Sequence, residues 1–287
     1  RYQLDCPIGR GAMGVVFRAR DVGEARTVAL KVMRPAIGFE DGVVERFRLE
    51  GQAMAQLRHD HIVRVHARGE SGAILWFTMD LVDGPSLARL IKEGPTPWPR
   101  AADLIAQAAD ALAYAHRCGV IHRDIKPSNL LVAPGRDQLM ITDFGIARIV
   151  GTKRLTATGM TVGTPTYMSP EQVFVEGELS AATDQYSLGV VACQLLAGDV
   201  PPMVNPSRWS ARRRHASWRA NLHSLSCPPA LAALVERMVH PAAGRRWPDL
   251  GVVSRAASEI ATSGEAPSLA GLSEAHSLAA VLRRLLR

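Results

Sequence analysis

One eight-residue run constrains this chain more than any other feature. It reads His122-Arg123-Asp124-Ile125-Lys126-Pro127-Ser128-Asn129, and Asp143-Phe144-Gly145 follows fourteen residues after Asn129. Together the two segments put a proton acceptor, a cation and two oxygen donors on neighbouring loops. Phosphoryl transfer calls for that set, because its transition state is stabilised mainly by positioning and charge neutralisation. One short motif alone would carry little weight. Two in order and at this spacing, with further segments on both sides, carry much more.

The 287 residues suit two lobes sharing a cleft. A hydrophobic fraction of 47% is enough for a sizeable core. The first eighty residues read as short strands and one helix. Val28-Ala29-Leu30-Lys31-Val32 and Ile74 to Met79 are strand-like, and Val43 to Leu57 has helical spacing. After the turn Asp83-Gly84-Pro85 the character becomes helical. Leu104, Ala108, Ala111, Leu112 and Ala115 repeat at three and four. Leu188 to Leu196 is apolar all round and predicts a central buried helix. Two further helices are marked by Leu231 to Met238 and by Val253 to Ile260. The expected fold class is α+β, with a small sheet lobe over residues 1–80 and a larger, mostly helical lobe over 81–262. Residues 263–287 then read as a linker and an amphipathic helix.

Gly9, Gly11 and Gly14 occupy the three glycine places of G-x-G-x-x-G. Such a loop lets backbone N–H groups approach phosphate oxygens. A dinucleotide fingerprint would open a helix directly after the glycines. Here the strand-like Val15 to Ala19 follows, which favours a glycine-rich hairpin folded over a nucleotide. Lys31 ends its strand, and Glu50 lies nineteen residues later on the helix, able to fix the ammonium. Asp124 is the candidate base that orients an attacking hydroxyl and accepts its proton. Lys126 would neutralise charge on the moving group. Asn129 and Asp143 offer the hard oxygen ligands that Mg2+ prefers. The chain has only four lysines, and Lys31 and Lys126 are two of them.

These segments resemble the protein kinases of the Ser/Thr type, specifically the bacterial eukaryotic-like (Hanks-type) group. The resemblance runs over residues 2–262. It includes Gly163 to Glu171 and Asp184-Gln185-Tyr186-Ser187-Leu188-Gly189. It implies a bilobal fold that binds ATP and Mg2+, with Mn2+ as a substitute, and that phosphorylates Ser/Thr of proteins. It implies an adenine slot lined by Ile8, Val16, Ala29 and Leu131. Met79 would guard its rear, and Asp80 and Val82 would offer hinge backbone hydrogen bonds. Met54, Val65, His122 and Phe144 would stack between the lobes in the active state. Lys126 together with Thr164 is similar to Ser/Thr rather than tyrosine kinases, and Thr164 would take part in substrate docking. Thr156 and Thr158 match in position the paired autophosphorylated threonines of bacterial relatives, with Arg123 reading the phosphate.

Three features depart from the pattern. Gly51 follows Glu50 inside the helix and costs it about 1 kcal/mol relative to alanine, which implies a mobile helix. Ser169-Pro170-Glu171 stands where Ala-Pro-Glu is commoner. The arginine partner of Glu171 is either Arg245 or Arg246. The alternative function is a nucleotide-binding scaffold that transfers nothing, but the completeness of Lys31, Glu50, Asp124, Asn129 and Asp143 favours transfer. A small-molecule kinase is disfavoured by Thr164 with Tyr167 to Glu171, which resemble a peptide-docking segment.

The net charge of +7 implies solubility and mild attraction to anions. The basic, aromatic-bearing run from Arg208 to Arg219 reads as a solvated face, and no nucleic-acid partner is expected. Cys6, Cys118, Cys193 and Cys227 have no metal-type spacing and read as free thiols of a reducing, cytoplasmic compartment. No apolar run is long enough to span a bilayer. The start at Arg1 suggests a fragment of a longer protein, which leaves a membrane anchor open. The stripe Leu278, Val281, Leu282, Leu285 and Leu286 would lie on a membrane surface or pack on the domain. A homodimer for trans-autophosphorylation is a further expectation.

Overall fold

The computed structural model describes residues 1–11, 14–33, 42–72, 74–135, 137–144, 165–174, 179–198, 215–219, 221–222 and 225–263. Five antiparallel strands open the chain: β1 Tyr2–Gly11, β2 Gly14–Asp21, β3 Arg26–Met33, β4 Val65–Ser71 and β5 Ile74–Met79. They line up in the order β1-β2-β3-β5-β4. Residues paired across strands share a face of the sheet. Val16 is paired with Lys31, Lys31 with Phe77, and Ala29 with Met79. These side chains therefore point to one side, toward the helix α1, Val43–Gln56. The opposite face buries Ala19, Val28 and Leu30, covered by Tyr2, Val32 and Trp76.

Helix α1 buries Val43, Phe47, Gly51 and Met54, a single stripe at helical spacing. Phe47 meets Phe77 of β5 with ring centroids 4.5 Å apart. Gly51 lies in that stripe. A Cβ there would sit 2.6 Å from Arg68 Cδ and 3.4 Å from the Phe77 ring. The missing side chain lets α1 lie close against the sheet, which offsets the loss of helix propensity.

The second lobe is built on α2 Leu87–Glu93, α3 Trp98–Arg117, α4 Pro170–Phe174, α5 Ala181–Ala197, α6 Pro229–Met238 and α7 Leu250–Ser263. The short hairpin β6 Leu130–Ala133 and β7 Gln138–Ile141 lies between α3 and α4 in sequence. Leu104, Ala108, Ala111, Leu112 and Ala115 of α3 are all fully buried, and α7 packs along that helix. Helix α5 is buried on every side. Its polar residues are engaged: Gln185 exchanges two hydrogen bonds with the Trp247 backbone, and Ser187 donates to the Tyr167 carbonyl. Burial of such groups is tolerated because they are hydrogen-bonded.

The lobes are stitched together by backbone. The segment after α1 pairs with β7, where Ile141 N–H donates to the His61 carbonyl and Val63 N–H donates to the Ile141 carbonyl, both at 2.9 Å. The loops that carry Asp124 and Asp143 enter and leave the β6–β7 hairpin, so both open at the seam between sheet and helices. All four cysteines are unbridged. Among the described residues, no helix is long and apolar enough to cross a membrane.

Candidate active site

At the seam lies a cavity of about 330 Å3, lined by residues of both lobes. Ile8, Gly9, Val16 and Ala29 roof it, Leu131 floors it, Met79, Asp80 and Val82 close one side, and Asp143 stands at its inner end. Of the residues expected at a nucleotide, Gly11, Gly14 and Lys31 are outside this lining. Arg18, Val63, Leu81, Asp83, Gly84, Ser128 and Thr142 belong to it beyond those expected. The cross-strand pairing of Arg18 with Ala29 is what brings that arginine to the cavity face, and periodicity on β2 could have indicated it. Gly14 is needed for packing, since a Cβ there would run into the Val32 backbone carbonyl. The Asp80 N–H is taken by the Arg64 carbonyl at 3.0 Å, while its carboxylate meets His66 Nε2 at 2.7 Å.

Below the cavity, Lys126 Nζ lies 2.7 Å from Asp124 Oδ2. Asn129 Nδ2 donates to the Asp124 carbonyl at 2.8 Å and to its carboxylate at 3.2 Å. The short 3-10 turn Pro127–Asn129 brings Asn129 back over Asp124. Lys31 Nζ is paired with Asp143 Oδ2 at 2.7 Å. The expected pairing of Lys31 with Glu50 is therefore corrected. An ammonium this buried takes the carboxylate within reach, and Asp143, held at φ +67°, provides it. Glu50 is half-buried on α1.

Arg123, like Asp143, is in the left-handed region at φ +67°. That conformation is costly for a residue with a Cβ and persists only where the surroundings enforce it. Asp184 of α5 is the enforcing group. Its carboxylate accepts the His122 N–H at 2.8 Å and the Arg123 N–H at 2.7 Å, and it meets His116 Nε2 at 2.8 Å. Full burial raises the carboxyl pKa of Asp184, but the hydrogen bonds outweigh burial and hold it below the ordinary range. The motif around Asp184 is visible in the sequence, but nothing local to it indicates what the carboxylate grips. His122 Nδ1 accepts the Asp124 N–H at 3.2 Å, and its Nε2 donates to the Thr142 carbonyl at 2.8 Å. The two partners assign the Nε2–H tautomer and tie the Asp124 loop to the Asp143 loop.

Of the four residues expected to stack between lobes, His122 and Phe144 touch, with ring centroids 4.6 Å apart. Met54 and Val65 gather with Phe144 around a small cavity of about 20 Å3 that Met79 also lines, within one apolar cluster. The choice between the two late arginines falls to Arg246. Its guanidinium grips Glu171 at 2.7 and 2.9 Å and also donates to the carbonyls of Ala182, His240 and Pro241. Arg245 offers its carbonyl to Arg237 instead. Burial raises the Glu171 pKa, but the bidentate arginine prevails and leaves it low. Thr156, Thr158 and Thr164 lie outside the described residues, as do residues 264–287; Ser263, expected to open the linker, instead closes α7.

Residues 2–249 match the family model of the protein kinase domain. The chain belongs to the protein kinase family. It is 39% identical over 252 residues to the serine/threonine-protein kinase PkaA of Streptomyces coelicolor, covering 83% of this chain and 46% of that one. Against PknA of Corynebacterium glutamicum it is 37% identical over 265 residues, covering 90% and 56%. The solved kinase domain of Mycobacterium tuberculosis PknI superposes with a TM-score of 0.71 at 29% identity, over 90% of this chain and 95% of that one. The fold is thus the bilobal protein-kinase fold, and ATP-dependent phosphorylation of protein Ser/Thr is the activity of such a domain. The chain spans about half the length of the curated relatives it matches.

Proposed function

We propose that this kinase domain seats ATP in the interlobe cavity and passes the γ-phosphoryl group to a protein hydroxyl held over Asp124. The observation that carries this reading is the bracketing of the Asp124 carboxylate by Lys126 and Asn129, next in the chain to Ser128, which lines the cavity. Adenine would lie between Ile8, Val16, Ala29 and Leu131, with the Asp80 carbonyl and the Val82 backbone as its hydrogen-bond partners and Met79 behind it. Gly9, Gly11 and Gly14 would bring backbone N–H groups over the phosphates.

The donor chemistry fits a divalent cation. Asn129 and Asp143 are oxygen ligands, and Mg2+ is ordinarily held by one or two carboxylates together with substrate phosphates. Mg2+, or Mn2+ in its place, supplies charge neutralisation on the phosphate oxygens when bound. In the arrangement described, Lys31 holds Asp143. With Asp143 turned to the metal, Lys31 would be left to face the phosphates. Asp124 orients the acceptor hydroxyl and takes its proton, and Lys126 balances the charge that develops beside it.

On this reading Thr156 and Thr158 are autophosphorylated, in trans within a transient homodimer. Arg123 pairs with the phosphate that results, and Thr164 faces the substrate. The compartment is cytoplasmic, with any membrane attachment made through segments outside the catalytic fold. A labelled-ATP assay with a generic protein acceptor tests the assignment. Asp124→Asn is expected to lower kcat by roughly 10²–10⁴-fold, the range for a lost general base, with its melting temperature unchanged, and Lys31→Met is expected to fall comparably. Wild-type transfer by Asp124→Asn would refute the assigned base.

A further inference from the structure

The departure at Ser169 acquires a meaning beside Gln172. Helix α4 begins at Pro170, so Ser169 is its N-cap and Gln172 its third residue. Gln172 N–H approaches Ser169 Oγ at 3.4 Å, and Gln172 Oε1 accepts the Ser169 N–H at 3.0 Å. This is a reciprocal capping box, which an alanine at 169 could not complete. The other end of the same amide has a second partner. Gln172 Nε2 donates to the Arg123 carbonyl at 2.9 Å, across 49 residues of sequence. An amide N–H can only donate and a carbonyl can only accept, so the two contacts fix which way the amide faces.

The Arg123 backbone is therefore gripped at both ends. Asp184 holds its N–H at 2.7 Å and Gln172 its carbonyl at 2.9 Å. Between the two grips the backbone is in the left-handed region, at φ +67°. Releasing the carbonyl would let the 123–124 peptide rotate to relieve that conformation, and the rotation would turn the Asp124 carboxylate away from Lys126 and Asn129. We infer that Gln172 is a positioning residue for Asp124: its side-chain amide couples the start of α4 to the catalytic loop and holds the base in register. The inference rests on Asp124 being the base.

Three variants separate these ideas, each assayed for kcat and for KM toward ATP between about pH 5.5 and 8.5, with thermal melting alongside. Gln172→Glu keeps an acceptor for the Ser169 N–H but sets a carboxylate oxygen against the Arg123 carbonyl. Its kcat is expected to fall at least about tenfold at about pH 8, with KM for ATP within about twofold of wild type. The facing Arg123 carbonyl favours the neutral carboxyl and raises its proton affinity above the ordinary glutamate range of about 4.3, so the deficit should shrink toward about pH 5.5 as the protonated form regains a donor. Gln172→Ala should also lose kcat, but with a pH profile parallel to wild type. Wild-type kcat in Gln172→Glu would overturn the proposal. So would a deficit in Gln172→Glu that matches Gln172→Ala at every pH, since a carboxyl that regains its proton should restore the contact with the Arg123 carbonyl. Asp124→Asn is the separate control. If it retains activity, the assigned base fails. If it loses activity while Gln172→Glu does not, only the role of Gln172 fails.

Discussion

Glu171 shows how much one pair of side chains can carry. Its carboxylate is half-buried and fully engaged, with Arg246 gripping both oxygens and Thr183 donating to one. Removing one partner of such a pair leaves a charge without compensation and costs about 3–5 kcal/mol. Arg246→Ala is therefore expected to lower unfolding free energy by an amount in that range in urea titrations. Arg245 is exposed, and Arg245→Ala should stay within about 0.5 kcal/mol of wild type. Sequence narrows the choice to these two arginines but does not decide between them, because the spacing after Pro241 is longer than usual. The 3-10 turn Ala243–Arg245 takes up the extra length and turns the next residue inward. The partner of Lys31 escapes a sequence reading for a related reason. Sequence offers the identity of nearby carboxylates, but the side of the cleft each one faces depends on the pose of α1 and on the backbone at Asp143.

Helices read well from the sequence wherever they have one buried face or are buried all round. The stripe on α3 and the apolar run of α5 are both where periodicity places them, since burial of those side chains is what forms the helices. The cost of Gly51 is also legible in the sequence, but its use is not, because the contact that needs a bare backbone is with β4 and β5, remote along the chain. Gly51→Leu would overpack the interface with Arg68 and Phe77, and the expected destabilisation is about 1–3 kcal/mol. Gly51→Ala should be milder, since the Arg68 side chain can withdraw. Denaturant unfolding of the two variants beside wild type checks the order. A Gly51→Leu protein as stable as wild type would mean that α1 does not lie where it is described.

At the scale of the whole molecule, several buried groups prefer the deprotonated state, so acid should weaken the fold in two stages. Burial lowers the pKa of His59, only partly offset by Asp110. Its contribution is complete above about pH 6.5, the ordinary histidine value, and is lost as pH falls through the lower folded value. Asp184 and Glu171 also titrate lower in the folded state than in the unfolded chain. Their contribution is complete above about pH 4 and drains away below it. Melting temperature against pH should show a shallow decline beginning near neutrality and a steep one in stronger acid. His59→Gln should remove part of the first stage and leave the second. The cleft itself is foreseeable in outline, because the motifs name the residues that line it. The grip of Asp184 on the catalytic loop is not, because it depends on the packing of α5 under that loop.

Calorimetric titration with ATP, with and without Mg2+, bears on the nucleotide site itself. Saturable uptake of one nucleotide per chain is expected, strengthened by Mg2+, with the metal dependence lost in Asp143→Asn. Folded protein that takes up no ATP in the presence of Mg2+ would contradict the assignment of the cleft.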